Sequence, residues 1–149
     1  MNASTLCAIA TVSRGGKAHI SHVYCAWDEW FRVYWISDPD SLHSRNLVTN
    51  GSAAVSIYDS KQTWGKQDRG IHLFGTARDL AGGQAREAEA AYAKRFRDFD
   101  PSTLEDLRYY RFNPRSIQLF DERALDAGTL VTARVTRGRL TWLRTEVWA

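Results

Sequence analysis

The sequence predicts a mainly β fold, a small antiparallel barrel with one long helix and short helices. Two observations predict it. Most of the chain divides into short β-prone runs broken by turns rich in glycine, asparagine or aspartate. Only one stretch, Gln84 to about Phe99, keeps apolar residues at helical spacing over several turns. With 149 residues and no repeat, linker or low-complexity tract, the chain reads as one domain over 1–149.

The first strand is Leu6 to Val12 (LCAIATV), turned by Arg14-Gly15-Gly16-Lys17 because glycine tolerates positive φ. Ala18 to Ala26 (AHISHVYCA) returns, and a second turn at Trp27-Asp28-Glu29-Trp30 leads into Phe31 to Ser37 (FRVYWIS). Asp40 or Ser41 then caps a short helix, Leu42 to Thr49, closed by Asn50-Gly51. Ser52 to Tyr58 is a fourth strand, and Asp59 to Arg69 is a polar loop around Trp64. Gly70 to Arg78 is a fifth strand, in which Gly75 signals a bend or a close backbone approach. The long helix carries its apolar stripe on Ala85, Ala88, Tyr92, Phe96 and Phe99. After a short helical turn at Pro101-Ser102 comes a strand, Arg111 to Phe120, whose Pro114 requires an edge or a bulge. A hairpin of Leu130 to Thr136 and Leu140 to Trp148 ends the chain.

The bulk numbers exclude several classes. A net charge of +3 is mild, and the basic residues are spread along the chain except in the tail. There Arg134, Arg137, Arg139 and Arg144 face a single Glu146 and read as a solvated strand face rather than a surface for an acidic partner, so no nucleic-acid partner is expected. No apolar run approaches the roughly 20 residues that span a bilayer. The N-terminus lacks a basic-then-apolar signal layout, so a cytoplasmic location is expected. Cys7 and Cys25 do not make a disulfide framework and read as reduced thiols, half-buried in strands. Six tryptophans imply broad flat surfaces to cover, on a planar ligand, a subunit interface or both.

Few residues pattern as a reactive site. His19, His22 and Cys25 cluster in sequence, but a strand alternates its faces, so His22 points away from the other two and no metal site is expected. There is no G-x-S-x-G elbow and no glycine-rich phosphate loop. Asp38 and Asp40 flank Pro39 as turn formers. The segment SLHSRN is different. A helix N-terminus offers unpaired N–H groups and the positive end of a dipole, and here Ser41, His43, Ser44 and Arg45 add side-chain donors for an anion.

The ordered set "AHISHVYCAW", "FRVYWIS", "SLHSRNLVTNGSAAVSIYD" and "GIHLFGTARDL" resembles the pyridoxamine-phosphate-oxidase-like FMN-binding split barrels over about Ser4 to Leu80. A looser echo lies in "YYRFNPRSIQLFDE". The resemblance implies an antiparallel split β-barrel that forms a homodimer with cofactor sites at the interface. It implies binding of a flavin, FMN or the related deazaflavin coenzyme, and redox chemistry on a small molecule. It assigns His22, Val23 and Tyr24 to the strand facing the ring and Ser37 to the mouth of the next strand. Ser41, His43, Arg45 and Asn46 would form the phosphate pocket, and Lys66 would reach the phosphate. Trp64 would cover the ring, and Gly70 stands where the oxidases carry glutamine. Where the family commonly has lysine two residues before Arg-Asn-Leu, this chain has His43. The C-terminal Arg- and His-containing segment of true pyridoxamine phosphate oxidases has no counterpart in "RTEVWA", so that activity is not expected. No residue is assigned as a catalytic acid or base. Two alternatives stay open: a haem-binding member of the fold using one of His19, His22, His43 or His72, and a ligand-binding member without catalysis.

Overall fold

The computed structural model describes residues 4–148. Strands β1 (Leu6–Val12) and β2 (Ala18–Tyr24) form the expected hairpin. Its turn is held by Ser13, whose hydroxyl accepts from the Lys17 N–H at 3.0 Å, and by Gly16 at φ 81°. The returning strand stops earlier than the sequence predicts. Cys25 keeps its N–H on the Thr5 carbonyl at 3.2 Å, and the chain then crosses to a short β3 (Ala26–Trp27), which pairs with β4 (Val33–Ser37). β4 begins two residues late because Phe31 takes φ 62°, which extended backbone cannot use. The Asp28 carboxylate fixes that turn, accepting from the N–H groups of Trp30 and Arg32, from Arg32 Nε and from the Tyr34 hydroxyl.

Helix α1 (Leu42–Thr49) and strand β5 (Ser52–Tyr58) fall at the expected residues. β6 (Arg69–Asp79) is followed by a 3-10 turn and α2 (Ala85–Arg95). α2 is shorter than its stripe implies, because Phe96 leaves it in an extended conformation. The stripe still packs: the rings of Phe96 and Phe99 each lie 5.3 Å from Tyr92. A second 3-10 turn (Pro101–Thr103) precedes β7 (Arg108–Asp121), and the hairpin β8 (Thr129–Thr136) and β9 (Arg139–Val147) completes the described chain.

The nine strands among the described residues join one antiparallel sheet in the order β2-β1-β5-β6-β7-β4-β3, with β8 also on β7 and β9 on β8. β7 explains the split. One of its edges pairs with β6 throughout; the other is shared, residues 108–112 with β4 and 116–120 with β8. Pro114 sits in the gap between those two ladders, opposite Gly75, where the β6–β7 register shifts. Of the two places proline could be accommodated, the bulge is the one used. Gly75 is the close approach the sequence signals, since a Cβ there would lie 2.1 Å from the Asn113 carbonyl oxygen.

Inside the barrel, Cys7, Ile9, Val33, Trp35, Val55, Leu73, Phe112 and Ile117 are buried, and Trp35 stacks on Tyr110 at 5.5 Å. Cys7 and Cys25 are free thiols, more deeply buried than half-exposed strand positions, and Cys25 lies in the break between β2 and β3. A second cluster joins Ala26, Tyr34 and Leu80 to Ala88, Ala91 and Tyr92 of α2. No helix among the described residues is long and apolar enough to cross a membrane.

Candidate functional site

α1 packs against the barrel with a polar face. Ser41 caps it, its hydroxyl accepting from the Ser44 N–H, while His43, Ser44 and Asn46 turn inward and are buried. A polar helix face can be buried only if the groups opposite satisfy it, and here hydroxyls do so. Asn46 donates to Thr11 Oγ1 at 3.1 Å. His43 Nδ1 meets Ser21 Oγ at 3.1 Å, and its Nε2 meets Ser37 Oγ at 2.8 Å and Ser41 Oγ at 3.1 Å. Ser21 Oγ also contacts His19 Nε2 at 2.9 Å, so two imidazoles share one hydroxyl. Burial first, and then the neighbouring His19 imidazole, hold His43 below the usual imidazole pKa. The ring is therefore neutral at pH 7.

Beside this network a groove of about 810 Å³ runs along β2. Ile20, Ser21, His22, Val23 and Tyr24 form one wall, with Ile36, Ser37 and His43 at the α1 end and Tyr92, Leu104 and Leu107 opposite. β2 is the edge of the sheet, and its phase follows from the bond between the Cys25 N–H and Thr5. Antiparallel pairing alternates, so odd-numbered residues bond to β1 while Ile20, His22 and Tyr24 turn backbone N–H and C=O groups to the free edge. The Tyr92 hydroxyl donates to the Tyr24 carbonyl at 2.6 Å. The His22 backbone groups remain for a ligand. Apolar walls, free backbone groups on one side and hydroxyls with an imidazole at one end fit a planar heterocycle with an anionic tail.

Of the sequence-predicted site residues, the structure brings His22, Val23, Tyr24, Ser37 and His43 to this groove, with Ser41 directly behind His43. Asn46 faces the barrel interior rather than the groove. Arg45 lies on the exposed side of α1 and donates to the Asp40 carbonyl. Trp64 and Lys66 occupy the loop at the opposite end of β5 from α1, where the Trp64 indole is 99% exposed. At Gly70 the space a side chain would use is filled by the Phe120 ring, 2.2 Å from an added Cβ. Sequence reasoning missed Ser21, Tyr92, Leu104 and Leu107. For Ser21 a signal existed, since it shares a strand face with His19; the other three come from distant segments.

The family profile described as pyridoxamine 5'-phosphate oxidase matches residues 1–121. The chain belongs to this family. No curated protein matches it. Among solved structures, the family fold recurs in a protein of unknown function from Agrobacterium tumefaciens (20% identity, 78% of this chain and 51% of that one, TM-score 0.69). It recurs in a heme binding protein from Mycobacterium smegmatis (18% identity, 92% and 54%, TM-score 0.68). A third likeness is to a pyridoxamine 5'-phosphate oxidase-related, FMN binding protein from Nostoc punctiforme (10% identity, 97% and 87%, TM-score 0.68). The chain spans about half the length of the first two. At these identities the likeness is one of fold: an antiparallel split barrel.

Proposed function

We propose that this chain is a flavin-binding oxidoreductase that works as a homodimer on a small molecule. The observation that carries the reading is the groove that joins the free backbone groups of His22 to Ser37 and His43. Val23, Tyr24 and Ile36 would flank the ring, and the His22 N–H and C=O would bond its polar edge. Ser37, Ser41 and His43 would hold the phosphate. When bound, flavin supplies the hydride chemistry, while the protein fixes its position and keeps water from one face. Addition of FMN, or of a deazaflavin coenzyme, to the purified protein should give saturable quenching of the added coenzyme's fluorescence, weakened in Ser37→Ala. Absence of saturable binding by either coenzyme refutes the proposal.

Dimerisation is supported by apolar surface that borders the groove at Ile20 and extends away from it. Ala8, Ala10 and Ala54 floor a trough between Ile20 and Phe74, which are 64% and 42% exposed. Trp30, Trp64, Trp142 and Trp148 are also exposed, and none of them lines the groove. In a dimer, the loop bearing Trp64 and Lys66 would serve the partner's groove.

Haem is a second reading, favoured by one observation. His22 is among the residues that line the groove, and its imidazole has no hydrogen-bond partner among the described residues, which leaves it free to serve as an axial ligand. A Soret band on adding haemin, lost in His22→Ala, would establish it in place of flavin.

A further inference from the structure

The Ser37–His43 end of the groove is a line of hydroxyls and imidazoles whose hydrogens can be placed one by one. Ser41 Oγ donates to Ser44 Oγ at 2.8 Å, so its only hydrogen is spent. Toward His43 Nε2, at 3.1 Å, Ser41 then offers only a lone pair. Two lone pairs facing each other at that distance repel. Nε2 therefore carries the ring's hydrogen and shares it between Ser41 and Ser37, the latter at 2.8 Å.

The other nitrogen follows. A neutral imidazole with its hydrogen on Nε2 has a bare Nδ1. His43 is only 6% exposed, so that nitrogen needs a donor, and Ser21 Oγ meets it at 3.1 Å. Ser21 thus spends its hydrogen on His43, and its oxygen accepts from His19 Nε2 at 2.9 Å. Ser37 accepts from His43 and keeps its own hydrogen. Ser41 Oγ, 3.4 Å away, is beyond good hydroxyl distance, whereas the groove that Ser37 lines is open to it. The bonds share one direction: His19 N–H to Ser21, Ser21 O–H to His43, His43 N–H to Ser37, and Ser37 O–H to the groove.

We infer that His19 and Ser21 are positioning residues for this end of the site, ordering a chain of donors that is aimed through His43 and Ser37 at an oxyanion of the ligand. The inference rests on the flavin reading above, in which that oxyanion is the phosphate. Where every dipole in a chain points one way, each donor polarises the next, so the last hydroxyl binds an anion more strongly than an isolated serine does. His43 thereby serves an anion without being charged. Two neighbours lie outside the chain. His22 lines the groove and has no hydrogen-bond partner among the described residues. A lysine brought by the Lys66 loop of a second protomer would add a donor and a charge at the ligand, and would reverse none of these bonds.

Nitrogen NMR of the histidine rings in the full chain tests the direction without any ligand, with signals assigned from His19→Gln and His43→Gln. At about pH 7.5 the expected result is hydrogen on Nε2 and a bare Nδ1 for His43, and hydrogen on Nε2 for His19. His43 carrying its hydrogen on Nδ1 would reverse the chain and overturn the proposal. FMN and riboflavin, which differ only in the phosphate, test what the chain does when titrated by fluorescence. Ser21→Ala should weaken FMN about three- to tenfold and leave riboflavin unchanged. Ser21→Thr, which keeps the hydroxyl, should restore FMN affinity. His19→Ala should weaken FMN in the same direction, whereas His19→Gln, whose amide can still donate to Ser21, should not. The Ser21→Ala loss should vanish in a Ser37→Ala background, because the chain then has no terminal donor. Unchanged FMN affinity in Ser21→Ala, or an equal loss for both flavins or with and without Ser37, overturns the proposal. If neither flavin binds, inorganic phosphate separates the two readings. Shifts of the His43 ring signals in wild type but not in Ser37→Ala would keep the chain while the flavin reading fails, and no shift in wild type would overturn both.

Discussion

Replacing His43 by glutamine should change how stability responds to acid. The wild-type ring is buried and held below its ordinary pKa, chiefly by desolvation and secondarily by His19. Well above the ordinary imidazole value of about 6.5 the ring is neutral in both folded and unfolded chains, and its contacts contribute in full. As pH falls through the unfolded value, the unfolded chain takes a proton that the folded chain resists. Stability is then lost, at a slope of at most about 1.4 kcal/mol per pH unit, until the folded pKa is passed. The glutamine amide of the variant can meet Ser37 or Ser21 but does not titrate, so the imidazole's share of the slope vanishes. The substitution should cost about 1–2 kcal/mol at pH 7.5, through the hydrogen bonds a shorter side chain cannot remake. Urea denaturation of both proteins from pH 7.5 to 5.5 supplies the comparison. Their stabilities should converge as pH falls. Parallel curves would show that His43 is protonated as readily in the folded protein as in the unfolded one, and the account of the buried cage would be wrong.

Gly75→Ala should be among the most damaging single changes in the barrel, because the new methyl would meet the backbone of Asn113 and Pro114 rather than a side chain that can swing aside. A loss of about 3 kcal/mol or more is expected in thermal or chemical denaturation, and a loss below about 1 kcal/mol would mean the β6–β7 bulge shifts freely. Trp64→Ala should leave the melting temperature within about 1 °C of wild type, since the indole buries nothing within its own chain. If the partner's loop covers the groove, the same variant binds flavin more weakly; unchanged affinity would remove that loop from the site.

Local signals are the legible ones. α1 falls at its expected residues because both ends carry their own instructions, Ser41 capping the start and Asn50-Gly51 closing it. β1 and β5 are equally clear, each an uninterrupted apolar alternation between turns. The misplaced boundaries all follow from tertiary demands. Cys25 ends β2 because β3 must leave for β4, and Phe31 delays β4 because the turn closed by Asp28 holds it at positive φ. Phe96 ends α2 because an extended residue there brings two rings onto Tyr92. None of these can be read from spacing alone.

The site divides along the same line. Strand alternation puts His19 and Ser21 on one face and His22 on the other, and this much is visible in the letters. Which face meets α1 is not, because it depends on β2 being the sheet edge and on the split in β7 that leaves β4 to end beside it. The same topology separates residues that the family pattern groups together. Ser37 and His43 meet within one chain at 2.8 Å, whereas Trp64 and Lys66 lie at the far end of β5. On the flavin reading, a groove built by one chain would have the Ser37–His43 end of its phosphate site formed and its ring wall uncovered. Covering that wall is what a second protomer would add, and this is why oligomeric state and flavin affinity should fall together when the Ile20–Phe74 face is disrupted. Ile20→Glu, placing a charge on that face and on the groove's edge, should yield a monomer with weakened flavin binding. Ala54→Glu, on the same face but outside the groove, separates the two effects: a monomer that still binds flavin at wild-type affinity would show that one chain suffices.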